Sequence, residues 1–260
     1  MTEDLLHETR PGGIAWTTFN RPQARNAMTF AMYARLAELA REISNDQEIR
    51  VWVITGAGGK AFASGTDISQ FREFRTAQDA LDYEERIDKV LGALEGCTKP
   101  VIAAIAGACT GGGLGMAGCC DIRICDEGAR FGLPIAKTIG NILNMHNFAR
   151  FYALVGPAAV AEMIMTARLF SAAEAKHIGL VSEVLPDADA VAARAMELAT
   201  TMSSLAPLTL RATKEALRRL RKATSQVEGD DLVTMCFTSQ DFQEGVNAFL
   251  NKRAPNFQGR

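Results

Sequence analysis

The sequence has few of the residues that metal sites and disulfide frameworks require. Its 260 residues include three histidines and six cysteines, with no C-x-x-C pair and no histidines at ligand-like spacing. We therefore expect no metal site. The cysteines lie mostly in apolar runs, which is typical of reduced core thiols, so we predict an intracellular, cytoplasmic protein. They are Cys97, Cys109, Cys119, Cys120, Cys125 and Cys236.

A strong charge of one sign and long apolar runs are also absent. The net charge is -2 at pH 7 and no basic stripe is present, which argues against a nucleic acid partner. No apolar run reaches about 18 residues, so we expect no membrane span. Residues 1–4 lack a charged segment followed by an apolar one, so no signal peptide is predicted.

Strand-like and helix-like segments alternate, which predicts an α/β protein. Runs of apolar and β-branched residues predict strands at 14–20, 51–56, 101–106 and 121–125. Apolar residues at helical spacing predict helices at 29–44 and 77–94, the first with Thr29 as its N-cap. The chain is mainly helical from about residue 145, with predicted helices at 145–155, 158–166, 172–177, 187–203, 206–222 and 239–252.

The segment 99–120 predicts a buried strand, a glycine turn and a helix that opens at Gly111, Gly112 and Gly113. Without side chains at the helix start, a ligand atom can approach the backbone N–H groups directly. Those groups lack intrahelical acceptors, and the helix dipole favours negative charge beside them. The segment is therefore suited to hold an oxygen that gains negative charge. The alternative is that the glycines only permit close packing of helix and strand.

Several motifs occur in a fixed order along the chain. They are NRPQARNA at 20–27, FASGTDI at 62–68, KPVIAAIAG at 99–107, GGG at 111–113, CDIR at 120–123, AKHIGLV at 175–181 and FLNKRAPNF at 249–257. In this order and spacing the sequence resembles the crotonase, or enoyl-CoA hydratase/isomerase, superfamily over nearly its full length.

The resemblance implies a fold and a substrate class. The fold would be an α/β, crotonase-like spiral of repeated β-β-α units over residues 1–200, followed by a helical C-terminal trimerisation region over 201–260. We accordingly expect a homotrimer or a dimer of trimers. The expected substrate is an acyl-CoA thioester, with coenzyme A as part of the substrate and no separate cofactor.

The resemblance also implies an oxyanion hole. Matched residue by residue, the backbone N–H groups of Thr66 and Gly112 would hold the thioester oxygen while it gains charge as an enolate. Preorganised donors of this kind contribute about 3 kcal/mol each to catalysis. The side chain at Thr66 would matter little, because the backbone supplies the hydrogen bond.

The same matching implies residues that bind coenzyme A. Lys252 would offer a cation to phosphate, from this subunit or a neighbouring one, or else be a solvated surface lysine. Asp67 could instead be a structural turn residue. The full implied set is Arg25, Ala27, Ala63, Asp67, Ile68, Phe249 and Lys252.

The sequence departs from the family pattern at the acid and base. Hydratases of this family carry two glutamates, and the matching positions here are Gly115 and Ile135. Without paired carboxylates the usual addition of water lacks an obvious general acid and general base. Two polar candidates remain, Asn144 and His146. His146 has a suitable residue type for a general base, whereas the alternatives are a packed or surface histidine and a helix-capping asparagine.

The leading hypothesis is an enzyme that processes an acyl-CoA through an enolate, nominally a hydratase or isomerase. Double-bond isomerisation, thioester hydrolysis and decarboxylation stay open, because both usual glutamates are missing. The alternative is a non-catalytic acyl-CoA-binding homologue that kept the fold and lost the acids.

Overall fold

A computed structural model describes residues 4–224 and 227–260 of the chain. Its strands are β1 Leu5–Arg10, β2 Ile14–Phe19, β3 Val51–Gly56, β4 Ala61–Ala63, β5 Val101–Ile105, β6 Ala108–Thr110, β7 Ile122–Asp126, β8 Arg130–Gly132, β9 Phe170–Ser171 and β10 Glu183–Leu185. Its α-helices are α1 Phe30–Asn45, α2 Ala77–Glu95, α3 Gly112–Cys119, α4 Ile135–Thr138, α5 Met145–Met165, α6 Ala172–His177, α7 Ala188–Ser203, α8 Pro207–Thr224, α9 Asp230–Phe237 and α10 Gln240–Leu250.

Three successive β-β-α units form the centre of the fold: β3-β4-α2, β5-β6-α3 and β7-β8-α4. The first strand of each unit joins a six-stranded sheet of order β1-β2-β3-β5-β7-β10, and the second joins a four-stranded sheet of order β4-β6-β8-β9. Neighbouring units pair in parallel in both sheets. Each unit thus advances the chain by one strand in each sheet, which confirms the predicted α/β spiral.

The six-stranded sheet is buried on both faces. Along β3, Val51 and Val53 face α7, whereas Trp52 and Ile54 face the larger core that contains α1, α2 and α3. A strand covered on both sides reads as a continuous apolar run rather than an alternating one. This burial explains why the segment 51–56 was recognisable as a buried strand from its sequence.

The structure corrects the sequence prediction in a few elements. The predicted helices 145–155 and 158–166 are confirmed, and they meet at Gly156, whose backbone has φ 77° and interrupts α5. Strand β1 was not predicted, because its residues are mostly polar and exposed. The single turn of α4 and the short helix α9 were also missed, since each offers too few turns for a clear apolar period.

By length and composition, one helix in the described part of the chain, α5, could cross a membrane. The break at Gly156 divides it into pieces of about ten residues. Each piece spans roughly 15 Å, about half of a bilayer's hydrocarbon core. Core helices of ordinary proteins pass the same test of length and composition, so this helix is weak evidence for a membrane span.

The C-terminal helices pack back onto the elements that precede them. Helix α9 packs on α2, and α10 packs on α9 and on the short 3-10 turn Ile68–Phe71. Phe242 of α10 lies against Phe71 of that turn, with ring centroids 6.0 Å apart. Part of the region 201–260 therefore contributes to the same body as the spiral, and the predicted domain boundary at residue 200 stays a prediction.

Candidate active site

A cavity of about 910 Å³ opens where the turns after β4 and β6 meet α2, α4, α5 and α10. The turns after β4 and β6 supply polar and backbone groups, which form its polar end, whereas α2, α4 and α5 supply mainly apolar side chains. The described residues that line it are Gln23, Ala24, Arg25, Ala27, Ser64, Gly65, Thr66, Asp67, Ile68, Phe71, Tyr83, Glu84, Ile87, Leu91, Thr110, Gly111, Gly112, Gly115, Pro134, Ile135, Thr138, Ile139, Asn141, Leu143, Asn147, Phe151, Phe249 and Lys252.

The backbone around Thr66 directs its N–H group away from the neighbouring segment. Thr66 forms a parallel bridge with Met28, in which the Met28 N–H donates to the Gly65 carbonyl and the Asp67 N–H donates to the Met28 carbonyl. In a parallel bridge the central residue's own N–H points to the opposite side. Within the described chain no backbone acceptor receives this N–H, which is therefore available to a ligand in the cavity.

Gly112 supplies a second N–H group beside the first. It is the first residue of α3, so its N–H has no acceptor within the helix. A carbon added at Gly65 would lie 3.5 Å from Gly112 N, and one added at Gly112 would lie 3.4 Å from the Thr66 Oγ1 atom. The two segments are therefore in contact. Gly111, with φ 52° and ψ -127°, makes the turn that brings them together.

Two tyrosines fix the side chain of Thr66. The Tyr33 hydroxyl is 3.1 Å and the Tyr83 hydroxyl 2.9 Å from Thr66 Oγ1, so the three hydroxyls form one chain. Burial raises the pKa of Tyr33 to about 12 and that of Tyr83 well above its usual value. Both phenols therefore stay protonated and can donate. A carbon added at Gly112 would overlap the Tyr33 hydroxyl, so only glycine fits there.

The expected CoA-binding residues mostly line one end of the cavity. Arg25, Ala27, Asp67 and Ile68 lie there, and so do Phe249 and Lys252 of the same chain. Ala63 does not: it is fully buried in β4 and absent from the cavity wall. Its expected role in binding coenzyme A stays a prediction without support from this geometry.

Asp67 is both a wall residue and a turn residue. It caps the 3-10 turn through Ser69, and it receives a hydrogen bond from the Arg21 guanidinium at 3.1 Å. Burial raises the pKa of Asp67, but the bonds from Ser69 and Arg21 outweigh it and leave the pKa below its ordinary value. Asp67 is therefore an anion that stiffens this loop.

Gly115 and Ile135, the positions that the resemblance matches to the family's two glutamates, lie in an apolar part of the cavity wall. A carbon added at Gly115 would lie 3.6 Å from Leu91 and 4.0 Å from the Asn147 side-chain oxygen. Ile135 begins α4 and is buried. Leu91 and Phe151 line the same region of the cavity. No carboxylate occupies either position, as the sequence indicated.

The structure separates the two polar candidates from the cavity wall. Asn144 is the N-cap of α5, where its side chain accepts the Asn147 N–H at 2.9 Å. His146 is exposed, with its Nδ1 atom 3.3 Å from an Asp88 carboxylate oxygen. Neither residue lines the cavity. A catalytic role for His146 stays a prediction that this placement does not favour. Asn144 does not line the cavity either, but it interacts with a second residue that does.

That second residue is Glu84, which sequence reasoning missed. It lies on α2, is 8% exposed and lines the cavity. Burial, assisted by the charge of Asp88, raises the pKa of Glu84 to about 8, although hydrogen bonds from the Asn144 backbone and side chain oppose the shift. A signal was present in the sequence: Glu84 precedes Ile87 and Leu91 by three and seven residues, so it lies on their apolar stripe.

In the part of the chain that the structure describes, no cluster of three His, Cys, Asp or Glu side chains is placed to hold a metal ion. The six cysteines are free, and five of them are buried. Burial raises the pKa of Cys109 well above its usual value, so this thiol is inert.

Comparison with known proteins connects this geometry to a family. A family model described as enoyl-CoA hydratase/isomerase matches residues 9–260. The 2,3-dehydroadipyl-CoA hydratase of Escherichia coli (strain K12) is 35% identical over 255 residues, which cover 97% of this chain and 98% of that protein. The short-chain-enoyl-CoA hydratase of Clostridium acetobutylicum is 34% identical, with 94% of each chain covered.

Solved structures show the same fold. An enoyl-CoA hydratase/carnithine racemase from Magnetospirillum magneticum superposes with a TM-score of 0.80 at 37% identity, covering 100% of this chain and 97% of that one. A methylmalonyl-CoA decarboxylase bound to 2-nitronate-propionyl-CoA superposes with a TM-score of 0.89 at 26% identity, covering 99% of both chains. The chain therefore belongs to the enoyl-CoA hydratase/isomerase family.

Proposed function

We propose that the protein is an enzyme that binds an acyl-CoA thioester in this cavity and stabilises its enolate. The observation that carries the proposal is the pair of adjacent N–H groups at Thr66 and Gly112, neither of which donates to a backbone acceptor within the described residues. An oxygen between them would receive two hydrogen bonds and the positive end of the α3 dipole. Such a site favours the charged enolate oxygen over the neutral thioester oxygen.

Coenzyme A would occupy the polar end of the cavity. Lys252 is exposed at the wall and can pair with a phosphate, while Arg25 and Asp67 flank the same opening. Backbone carbonyls near Ala27 and Ile68 can accept hydrogen bonds from an adenine edge. We propose no cofactor other than the coenzyme A of the substrate.

For the reaction at this site, a lyase or isomerase type is the leading assignment. Hydration of a 2-enoyl-CoA is the activity that the names of the relatives suggest. Gly115 and Ile135 weaken that assignment, because neither residue can activate water. Double-bond isomerisation, thioester hydrolysis and decarboxylation start from the same stabilised oxygen, and a relative of the same fold is named a decarboxylase.

Turnover of a panel of acyl-CoA thioesters tests the proposal, with products identified by mass spectrometry. The panel contains 2-enoyl, 3-enoyl, saturated and malonyl-type thioesters. We expect one of them to be converted, and Gly112→Ala to lower kcat at least 100-fold because its methyl group displaces the oxyanion-hole N–H. Gly92→Ala is the matched control, since a carbon added at Gly92 meets no atom within 4 Å.

A double variant separates loss of the N–H geometry from loss of the fold. Tyr33→Phe removes the hydroxyl that an added methyl at Gly112 would overlap and leaves the ring carbon Cζ 3.5 Å away. We expect Tyr33→Phe/Gly112→Ala to regain part of the lost activity. Equal activity of wild type and Gly112→Ala would contradict the oxyanion hole.

A non-catalytic acyl-CoA-binding protein is the second candidate. The observation that favours it is the apolar wall at Gly115 and Ile135, where the family places acids. This candidate predicts binding of CoA thioesters in calorimetry with no conversion of any member of the panel. Any turnover that Gly112→Ala abolishes excludes it.

For the assembly we propose a homotrimer or a dimer of trimers. Three leucines of α8 support association with another copy, because Leu208, Leu217 and Leu220 are 62–76% exposed in the single chain. Leucines in contact with water on one helix are typical of an interface. The free cysteines are compatible with the cytoplasm. We propose neither a nucleic acid partner nor a membrane.

A further inference from the structure

We infer that Glu84 is the group that exchanges a proton with the α carbon of the bound acyl group. The inference rests on the proposed function, which supplies a thioester and an enolate but no base. Among the described residues that line the cavity, the carboxylates are Asp67 and Glu84. Asp67 is engaged by Arg21 and Ser69 at the polar end. Glu84 is the carboxyl group that remains.

On α2, Glu84 lies between the oxyanion hole and the apolar wall of the cavity. Its neighbour Tyr83 contacts Thr66, so this turn of the helix lies beside the oxyanion hole. Two turns further, Leu91 faces Gly115 in the apolar wall. Because residues three, four and seven apart share one helix face, Glu84 points to the same side as Ile87 and Leu91. All three line the cavity.

The packing around Glu84 keeps its carboxyl group largely out of water. Asn144, the N-cap of α5, lowers the pKa of Glu84 through hydrogen bonding and so opposes the effect of burial. The side chain is 8% exposed, so few water molecules compete for it. Asn144 is thus a positioning residue: it acts through Glu84.

The charged and titratable groups around Glu84 set the pH at which it works. Asp88 lies one turn along α2 and disfavours ionisation of Glu84. Tyr83 and Tyr33 approach from α2 and α1 and stay protonated, and His146 on α5 faces Asp88 rather than the cavity. With burial as the largest cause, the pKa of Glu84 is about 8. The active carboxylate form therefore increases as the pH rises through 8.

The proton transfer balances without any further reactant. The Glu84 carboxylate takes a proton from the α carbon, and the electron pair of that C–H bond forms the carbon–carbon double bond of the enolate. The carbonyl electron pair moves to the oxygen between the Thr66 and Gly112 N–H groups. The proton on the Glu84 carboxyl group exchanges with solvent, and the carboxyl group then returns a solvent-derived proton to carbon, at the α position for simple exchange.

Deuterium exchange tests this assignment separately from any net reaction. Hexanoyl-CoA is incubated with the protein in D₂O, and α-deuteration is followed by mass spectrometry from pH 6 to 9. We expect wild type to exchange with a rate that rises to a plateau above about pH 8. Glu84→Gln should lower the plateau at least 100-fold without changing the Kd for hexanoyl-CoA. Glu85→Gln is the matched control, since Glu85 is exposed and paired with Lys89.

A second variant keeps the test valid if Glu84→Gln is poorly folded. Glu84→Asp retains the carboxyl group but withdraws it by one methylene, so exchange should fall about tenfold and keep its dependence on pH. Exchange by Glu84→Gln within threefold of wild type would overturn the assignment and leave the proposed function intact. If wild type bound hexanoyl-CoA but showed no exchange, no enolate would form in the cavity, and both proposals would be wrong.

Discussion

A carboxyl group inside an apolar wall is costly to ionise, and Glu84 is in that situation. Ile87 and Leu91 lie on the same face of α2, and Asp88 adds a like charge. The Asn144 hydrogen bonds recover only part of the ionisation cost, so the pKa settles near 8. A pKa near the working pH is what general acid–base catalysis requires. The apolar surroundings of Glu84 thus bring its pKa into the range that the proposed proton exchange needs.

The raised pKa makes stability depend on pH in a defined direction. Between the unfolded pKa of 4.5 and the folded pKa of about 8, the folded state binds more protons at Glu84 than the unfolded state. The free energy of unfolding therefore falls as the pH rises through this window and levels off above 8. Relative to Glu84→Gln, wild type should lose as much as about 4 kcal/mol.

Urea unfolding of both proteins from pH 4.5 to 9 measures this difference. Groups other than Glu84 titrate in both proteins, so their contributions cancel. Wild type and Glu84→Gln stability curves that stay parallel over the whole range would show that Glu84 titrates normally in the folded protein.

For single residues, the sequence predicted the positions of the backbone N–H groups better than the positions of reactive side chains. The glycines at 111–113 predicted a helix start open to a ligand, whereas Thr66 and Gly112 were paired by matching to the family that the sequence resembles; the structure brings both residues to the cavity. His146 was chosen by residue type, but α5 turns it towards Asp88 at the surface. Glu84 was missed although it lies on the apolar stripe of Ile87 and Leu91, and Asn144, which lowers its pKa, lies 60 positions along the chain.

Among the elements, α3 is the one whose packing in the core determines where a backbone group of the site lies. Its first two residues, Gly112 and Gly113, are packed against different neighbours: Tyr33 of α1 and the backbone of Ala63 in β4. A side chain at Gly112 would push the helix start away from Tyr33, and one at Gly113 would push it away from β4. The helix therefore holds its N-terminus against the loop of Thr66 through the absence of Cβ atoms, and this packing would fix the geometry of the proposed oxyanion hole.

Gly113→Ala should destabilise the fold through this contact. Its methyl group would overlap the Ala63 carbonyl, and backbone atoms cannot rotate aside, so we expect a loss of more than about 2 kcal/mol. Gly92→Ala in α2 should instead be neutral or stabilising by up to about 1 kcal/mol, because alanine favours helices and its methyl meets no atom. Thermal unfolding of the two variants gives the comparison, and equal melting temperatures would contradict it.

Element prediction succeeded where burial was periodic and failed where it was not. The N-cap Thr29 and helix α1 were predicted, and the Thr29 side chain accepts the Met32 N–H at 3.2 Å. Strand β1 escaped prediction because it lies at the sheet edge, with polar side chains and one antiparallel partner. Strand β1 is formed by pairing with β2, and the local sequence pattern of β1 does not predict that pairing.

For the whole molecule, the spiral explains why one chain leaves part of its apolar surface exposed. The two sheets and α7 bury the centre of the chain. Helix α8, by contrast, packs in this chain mainly on α5. Two side chains of α5, Tyr152 and Met165, are exposed as well. A surface of this kind is expected to be covered by another copy.

Substitution on α8 tests the proposed assembly. Leu217 and Leu220 are three residues apart on α8 and are 62% and 70% exposed, so lysine at both positions would put charge into a subunit interface without entering the core of the chain. We expect light scattering to give three or six times the 28.1-kDa chain mass for wild type and a shift towards one chain for Leu217→Lys/Leu220→Lys. Arg219→Lys on the same helix conserves an exposed charge and should leave the mass unchanged. If wild type were already a single chain at micromolar concentration, the apolar surface of α8 would need another partner and the trimer would be excluded.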